Sequence, residues 1–358
     1  MGPLNDPTIP RRRFLQVGAG SALLCTIGGQ HFALRTPRDA ARADAAARAV
    51  KKPPTAHRDP VDALQFGTPQ PQPGGVAREY WIQARTVTWD VAPTGRDDWL
   101  GTKIPKPRSF KAVVYQQMTV GFAAPAGPAT MPGPTLHAEV GDTLVVHFRN
   151  NAKALGQALT MHPHGVRYTP DYDGVYLGDY TRAGGFIAPG QEFTYTWEAR
   201  PDSVGVWPYH DHGPNHSLNA MRGLFGCVVV REKGAKAPDV EVPLFLGSLA
   251  PPVTGLNRQF ECINGRSGPG NTPTIRSKAG QDVALYVFGI DDFFHDFHVH
   301  GHRWQDSGGA DIDTQTVGPA ESIIARWTED NPGRWLYHCH VMTHQMAGMA
   351  GWYFAEES

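Results

Sequence analysis

The chain has 358 residues, room for about two domains of ordinary size, and carries 33 Lys and Arg against 34 Asp and Glu. A formal net charge of −1 leaves no basic face for nucleic acid and no acidic tail. With 40 Gly, 31 Pro and 41% hydrophobic residues, the composition points to a loop-rich, mostly β protein with sizeable cores.

In chain order, the first element is a targeting segment. Arg11-Arg12-Arg13-Phe14-Leu15 reads as a twin-arginine signal, and the apolar stretch from Val17 to Gly29 is too short to span a membrane. The leader is expected over residues 1–50, with Ala-x-Ala cleavage options such as Ala47-Arg48-Ala49, and export to the periplasm or beyond is the expectation. Residues 51–77 read as a linker or an extended arm. Two similar halves follow, residues 78–232 and 233–358. Short alternating apolar runs fill both: Thr143–Phe148, Phe193–Trp197 and Phe225–Val230 in the first, Val283–Val287 and Ile323–Trp327 in the second. Gly, Pro and Asn break them, and no long helical period occurs, so an all-β pair of tandem Greek-key sandwiches is predicted.

The repeat is clearest in its histidines. His162-Pro-His164-Gly165 answers His298-Val-His300-Gly301, and His210-Asp211-His212 answers His338-Cys339-His340. In a strand, His-x-His puts both rings on one face, roughly 7 Å apart. Four such pairs with a single accompanying thiol suit copper better than a zinc-thiolate site. The same alternation turns Cys339 away from His338 and His340, so one residue separates a thiolate site from an imidazole cluster. His295, Cys339, His344 and a weak axial Met349 make the ligand set of a blue-copper centre. The first copy has Asp211 for the cysteine and Leu159 for His295. With two of four ligands gone, its His216 and Met221 are not expected to hold a metal, and Asp211 should point into its own domain.

Taken together, His162-Pro-His-Gly, His210-Asp-His, His295-Asp-Phe-His-Val-His-Gly and His338-Cys-His with His344 and Met349 resemble the four copper motifs of multicopper oxidases. Two cupredoxin-like domains with the blue-copper Cys in the second most resemble the two-domain, small laccases. The resemblance implies four coppers per subunit. Type 1 copper would sit on His295, Cys339, His344 and Met349, and type 2 on His162 and His298. The type 3 pair would sit on His164, His210, His212, His300, His338 and His340. It further implies a homotrimer with the cluster between domain 1 of one subunit and domain 2 of the next. Tyr168 matches a tyrosine near the cluster that supplies an electron, and Asp173 an acidic residue that relays protons; the plain alternative is an Asp-Gly turn with Tyr168 packed beneath it.

The implied reaction is one-electron oxidation of a small reductant, a phenol or aromatic amine, coupled to four-electron reduction of O2 to water. A metallo-oxidase acting on Fe(II) or Cu(I) is the rival, with Met342, Met346, Asp291, Asp292 and Asp296 as its candidate residues. A copper nitrite reductase would carry its blue-copper Cys in the first domain, where Asp211 stands, and an electron carrier would not need eight further histidines. His302 reads as a supporting or surface histidine, and His137 and His147 as ordinary core or surface residues. Cys227 and Cys262 either pair or are buried free thiols.

Overall fold

The computed structural model describes residues 24–27, 30–33, 36–50, 61 and 64–357. The arginine motif at residues 11–13 lies outside them. A short hairpin, β1 (Leu24–Ile27) and β2 (Gln30–Ala33), precedes helix α1 (Pro37–Ala49).

The first sandwich uses β3 (Ala77–Asp90), β4 (Ser109–Met118), β5 (Leu136–Glu139), β6 (Thr143–Asn150), β7 (His162–Pro163), β8 (Glu192–Glu198), β9 (Gly205–His210) and β10 (Phe225–Arg231). One sheet runs β4-β3-β6-β8 and the other β5-β10-β9-β7. The second sandwich uses β11 (Val240–Leu249), β12 (Phe260–Ile263), β13 (Ile275–Lys278), β14 (Asp282–Gly289), β15 (His295–Val299), β18 (Thr314–Val317), β19 (Ser322–Thr328), β20 (Gly333–Cys339) and β21 (Ala350–Glu356). Its sheets run β12-β11-β14-β19 and β13-β21-β20-β15-β18, and a small hairpin, β16 (Trp304–Gln305) with β17 (Asp311–Ile312), sits outside both. These are tandem cupredoxin-like domains.

The duplication holds down to register. Leu136 lies opposite Val228 as Ile275 lies opposite Tyr353, and Leu144 opposite Trp197 as Val283 opposite Trp327. Even a tyrosine strut repeats: Tyr209 donates to the Pro134 carbonyl at 2.7 Å and Tyr337 to the Pro273 carbonyl at 2.6 Å. Alternation along each strand sends Leu144, Val146 and Phe148, and likewise Val283, Leu285 and Val287, into separate cores. A third apolar cluster joins the domains, with Phe245 stacked on Phe288 at 4.3 Å and tilted against Phe225 at 4.8 Å between ring centroids. Each such aromatic contributes about 1.5–3 kcal/mol by leaving water, so the two domains are held as one body. Cys227 and Cys262 are buried free thiols in this cluster rather than a disulfide.

The folded body reaches further toward the N-terminus than the boundary expected at residue 50. The Ala-rich run favours helix, and Thr36 with Asp39 closes a capping box at its start. Buried Ala40 and Ala47 seat α1 on the body. Asp44 pairs with Arg222 through two bonds of 2.9 Å and also accepts from Gln157 and Asn215. Asn215 and Arg222 bracket helix α2 (His216–Met221), which is the first copy of the copper loop. Thus α1 lies over the copy that lost its ligands, and a cut at the Ala47-Arg48-Ala49 option would remove it. Residues 64–76 form an extended arm, tied by Gln72 N–H to the Gly141 carbonyl at 2.9 Å and by Val76 N–H to Asp142 at 2.9 Å. Among the described residues, no helix is long and apolar enough to cross a membrane.

Candidate metal centres

Among the described residues, three groups of side chains bring potential ligand atoms within 4.8 Å of one another: His162/His164/His210, His298/His300/His338 and His295/Cys339/His344. Strand register builds them. On β15 and β20, Phe297 faces Cys339 on the core side and His298 faces His338 on the other. On β7 and β9, His162 faces His210. A one-residue slip of either pair would send the imidazoles into the core.

In the thiol site, His295 Nδ1 and His344 Nδ1 lie 3.8 and 3.7 Å from Cys339 Sγ. Burial opposes a thiolate at Cys339, but the bonds from His295 and His344 outweigh it and bring the thiol down to about 7. His344 sits in helix α4 (Met342–Met346), and Met349 N–H donates to the His344 carbonyl at 3.0 Å. Cys339 N–H in turn donates to the Met349 carbonyl at 3.0 Å, and the Met349 side chain is fully buried in the domain core. The sequence offers Asp291 only as a candidate acid for a metal-ion substrate beside His295 or His344. It is instead buried, with its carboxylate 3.0 Å from His295 Nε2 and accepting from Ser248 N–H at 2.6 Å. Its Oδ1 fixes the tautomer that leaves Nδ1 facing sulfur.

The histidine clusters show the same device on the backbone. His162 Nδ1 donates to the Asp173 carbonyl at 2.7 Å and His298 Nδ1 to the Asp313 carbonyl at 2.7 Å. His210 Nδ1 donates to the Asp211 carbonyl and His338 Nδ1 to the Cys339 carbonyl, both at 2.9 Å. Each Nε2 is thereby left as a lone pair. His164 Nε2 then faces His210 Nε2 at 3.0 Å, and His300 Nε2 faces His338 Nε2 at 3.1 Å. Burial and neighbouring rings push His210 down to about 3 and His164, His212 and His338 to about 4, so all stay neutral near pH 7. His212 Nδ1 is buried with no hydrogen-bond partner in the chain. Converging lone pairs and an orphaned ring nitrogen fit a copper cluster far better than they fit each other. His340 completes the second group, 5.6 Å from the His298 ring and 5.4 Å from that of His338. No described residue belongs to both histidine groups.

Tyr168 and Asp173 both stand at the first group. The Tyr168 ring is 5.9 Å from that of His162, and the Asp173 carboxylate is 3.2 Å from His162 Nδ1. Burial raises the Tyr168 phenol, and the negative charge of the nearby Asp173 raises it further. Sequence reasoning did not single out Asp313, the counterpart of Asp173; the repeat itself was the available signal. Asp211 points inward as expected, accepting from Thr160 N–H at 2.8 Å and Asn219 at 3.2 Å. His216 stacks on His212 at 4.2 Å. His137 lies beside Arg231 at 3.1 Å, and His147 stacks on Trp81 at 4.0 Å. His302 is a buried partner of Glu329 and no member of the clusters.

Two family models, each described as multicopper oxidase, match residues 127–235 and 248–358 and together cover more than half of the chain. The chain is 30% identical over 259 residues to a probable nitrite reductase-hydroxylamine oxidoreductase fusion protein of Kuenenia stuttgartiensis, across 66% of this chain and 29% of that protein. It is 24% identical over 354 residues to the ferroxidase HEPHL1 of Mus musculus, across 78% of this chain and 29% of that one. It therefore spans less than a third of the length of these curated relatives. Among solved structures, a blue copper oxidase from Nitrosomonas europaea aligns with a TM-score of 0.58 and 25% identity, covering 78% of this chain and 86% of that one. With the matched domains holding both the thiol site and the paired histidines, the chain belongs to the multicopper oxidase family.

Proposed function

We propose that this oxidase is of laccase type, taking single electrons from phenols or aromatic amines. The observation that carries this reading is the rim of the thiol site. Phe294, Met342 and Met346 are 53%, 61% and 54% exposed around His344, whose ring lies 6.2 Å from that of Phe293. Most nearby acids are committed elsewhere: Asp291 is bonded to His295, Asp296 accepts from Thr316 Oγ1 at 2.6 Å, and buried Glu261 accepts from Ser248 and Gln259 at 2.6 Å each, which leaves exposed Asp292 as the acid open to a cation. An apolar, aromatic rim suits an aromatic ring better than a hydrated cation.

Copper, when bound, supplies one-electron chemistry at Cys339 and reduction of O2 to two waters, with four electrons and four protons, at the histidines. His295, His344 and Met349 orient the thiolate. His338 and His340, covalently adjacent to Cys339, link the two sites through the β20 backbone. In this reading Asp173, with its carboxylate 3.2 Å from His162 Nδ1, would deliver protons, and Tyr168, with its ring 5.9 Å from that of His162, would give an electron. This reading takes four coppers per subunit, one at the thiol site and three at the eight cluster histidines. Because those histidines form two separate groups within the chain, we infer a homotrimer in which each group meets its complement on a neighbour. The leader motif further supports export by the twin-arginine route, which replacing Arg11 and Arg12 with Lys should block.

The rival is oxidation of Fe(II) or Cu(I), favoured by the likeness to a ferroxidase and by the thioethers of Met342 and Met346. Oxygen uptake by the copper-loaded protein, measured with a phenol, an aromatic amine, Fe(II) and Cu(I), decides between them. Turnover at least about tenfold faster (1.4 kcal/mol) with a metal ion than with either aromatic would overturn the laccase reading.

A further inference from the structure

Domain 2 buries a polar group that the copper sites do not use. The side chains of His302 and Glu329 are 1% and 0% exposed. Each His302 ring nitrogen faces an acceptor: Nδ1 the His300 carbonyl at 2.8 Å, Nε2 the two Glu329 oxygens at 3.0 and 3.2 Å. Glu329 also accepts from the Tyr353 hydroxyl, from Ser277 Oγ at 3.2 Å and from Asn331 N–H at 3.0 Å.

The first domain is an internal control. Register puts Tyr353 where domain 1 has Val228 and Ser277 where it has Ala138. Glu329 N–H donates to the Gln281 carbonyl and its own carbonyl accepts from Gly280, as Ala199 does with Asp142 and Gly141. His302 and Val166 each follow His-Gly, with the glycine at φ 73° and 69°. The polar quartet Ser277, His302, Glu329 and Tyr353 therefore replaces Ala138, Val166, Ala199 and Val228, all buried in the apolar core of domain 1. This sandwich closes without the quartet, and a buried ion pair is no more stabilising than well-packed apolar residues of like volume. Its presence calls for another reason.

That reason lies in the turn after each first histidine pair. In domain 1 the His164 carbonyl accepts from Val166 N–H at 2.9 Å, so the main chain closes the turn. In domain 2, His302 N–H reaches back to the Val299 carbonyl at 3.4 Å, and the imidazole takes the His300 carbonyl instead. Asn331 holds the next carbonyl, that of Gly301, at 3.0 Å. The domain 2 turn also lies more open, with His300 and His340 exposed where His164 and His212 are half-buried.

We infer that His302 and Glu329 are positioning residues, a lock beneath the turn that aims His298 and His300 before metal arrives. The inference rests on the copper reading of that pair, and preorganised ligands bind tighter because less order is lost on binding. The test transplants the domain 1 quartet into the full chain: Ser277→Ala, His302→Val, Glu329→Ala and Tyr353→Val together. His302→Val alone would strand a buried carboxylate, so the fourfold variant is the cleaner probe. In the metal-free protein, its urea midpoint should stay near that of the parent while amide exchange at Gly301 and His302 speeds up about tenfold or more. With copper, affinity should fall about 10–100-fold and part of the EPR-silent, coupled copper should become visible. Tyr353→Phe, which keeps the His302–Glu329 pair, should match the parent in both. Unchanged exchange and coupling would overturn the lock, as would a fourfold variant that fails to fold, since the quartet would then be structural. If the parent itself shows no coupled copper, the cluster reading fails while the exchange measurement still decides the lock.

Discussion

Cys339 and Asp291 concentrate the residue-scale consequences. Replacing Cys339 by Ser removes the thiolate that makes a blue site, so the visible charge-transfer band and substrate oxidation should both disappear. Copper at the histidine groups should remain, lowering the metal count by one per chain. Asp291→Asn keeps the shape but removes the anion 3.0 Å from His295 Nε2. A less basic ligand binds Cu(II) less well, so the type 1 potential should rise and Cu(II) affinity fall about 10–100-fold; a redox titration measures this. A potential equal to the parent's would show that Asp291 is not felt at the metal. The candidate ligands were legible because copper chemistry dictates residue type and strand alternation dictates facing. Asp291 was legible only as an acid near His295; that it is buried and bonded to the ring depends on a turn that brings its carboxylate back onto a ring four residues ahead.

Among the elements, α1 shows what local pattern can and cannot convey. Ala-rich composition and the Thr36/Asp39 cap announce a helix, yet the same composition suits an export leader. Only docking distinguishes them, through Asp44 against Arg222, Asn215 and Gln157. Burial works against the Asp44 carboxylate, but Arg222 outweighs it and holds the group below its ordinary value. A carboxylate lowered in the folded state stabilises above its unfolded pKa of about 3.9, and that contribution is lost as pH falls further. Asp44→Ala should therefore cost about 2–3 kcal/mol near neutral pH, less than a fully buried pair since both ends keep some exposure. Urea melts at pH 7 and pH 3 would show the parent and variant converging in acid. The variant should also be nicked sooner by protease within α1. The strands, in contrast, were readable nearly to their ends, since Thr143–Phe148 and Ile323–Trp327 alternate cleanly and are stopped by turn residues.

For the whole molecule, the separation of the two histidine groups sets the expectation. If each is half of a cluster shared with a neighbour, oxygen reduction should require assembly. Sedimentation should find a three-chain species, and uptake per chain should fall on dilution below the concentration where it dissociates. A monomer with undiminished activity would sink that arrangement.

What the sequence determined by itself was the duplication, the all-β class and which histidines and cysteine share a face as candidate ligands. Each depends on short-range periodicity or on ligand chemistry, and both are written along the strand. What only the tertiary structure decided was the company those residues keep. It placed Asp291 behind His295, Asp313 opposite Asp173 across the repeat, α1 over the emptied copper loop and Glu329 beneath His302. Such partners come from distant strands and turns, and their meeting is set by how two sandwiches pack, not by any local spacing.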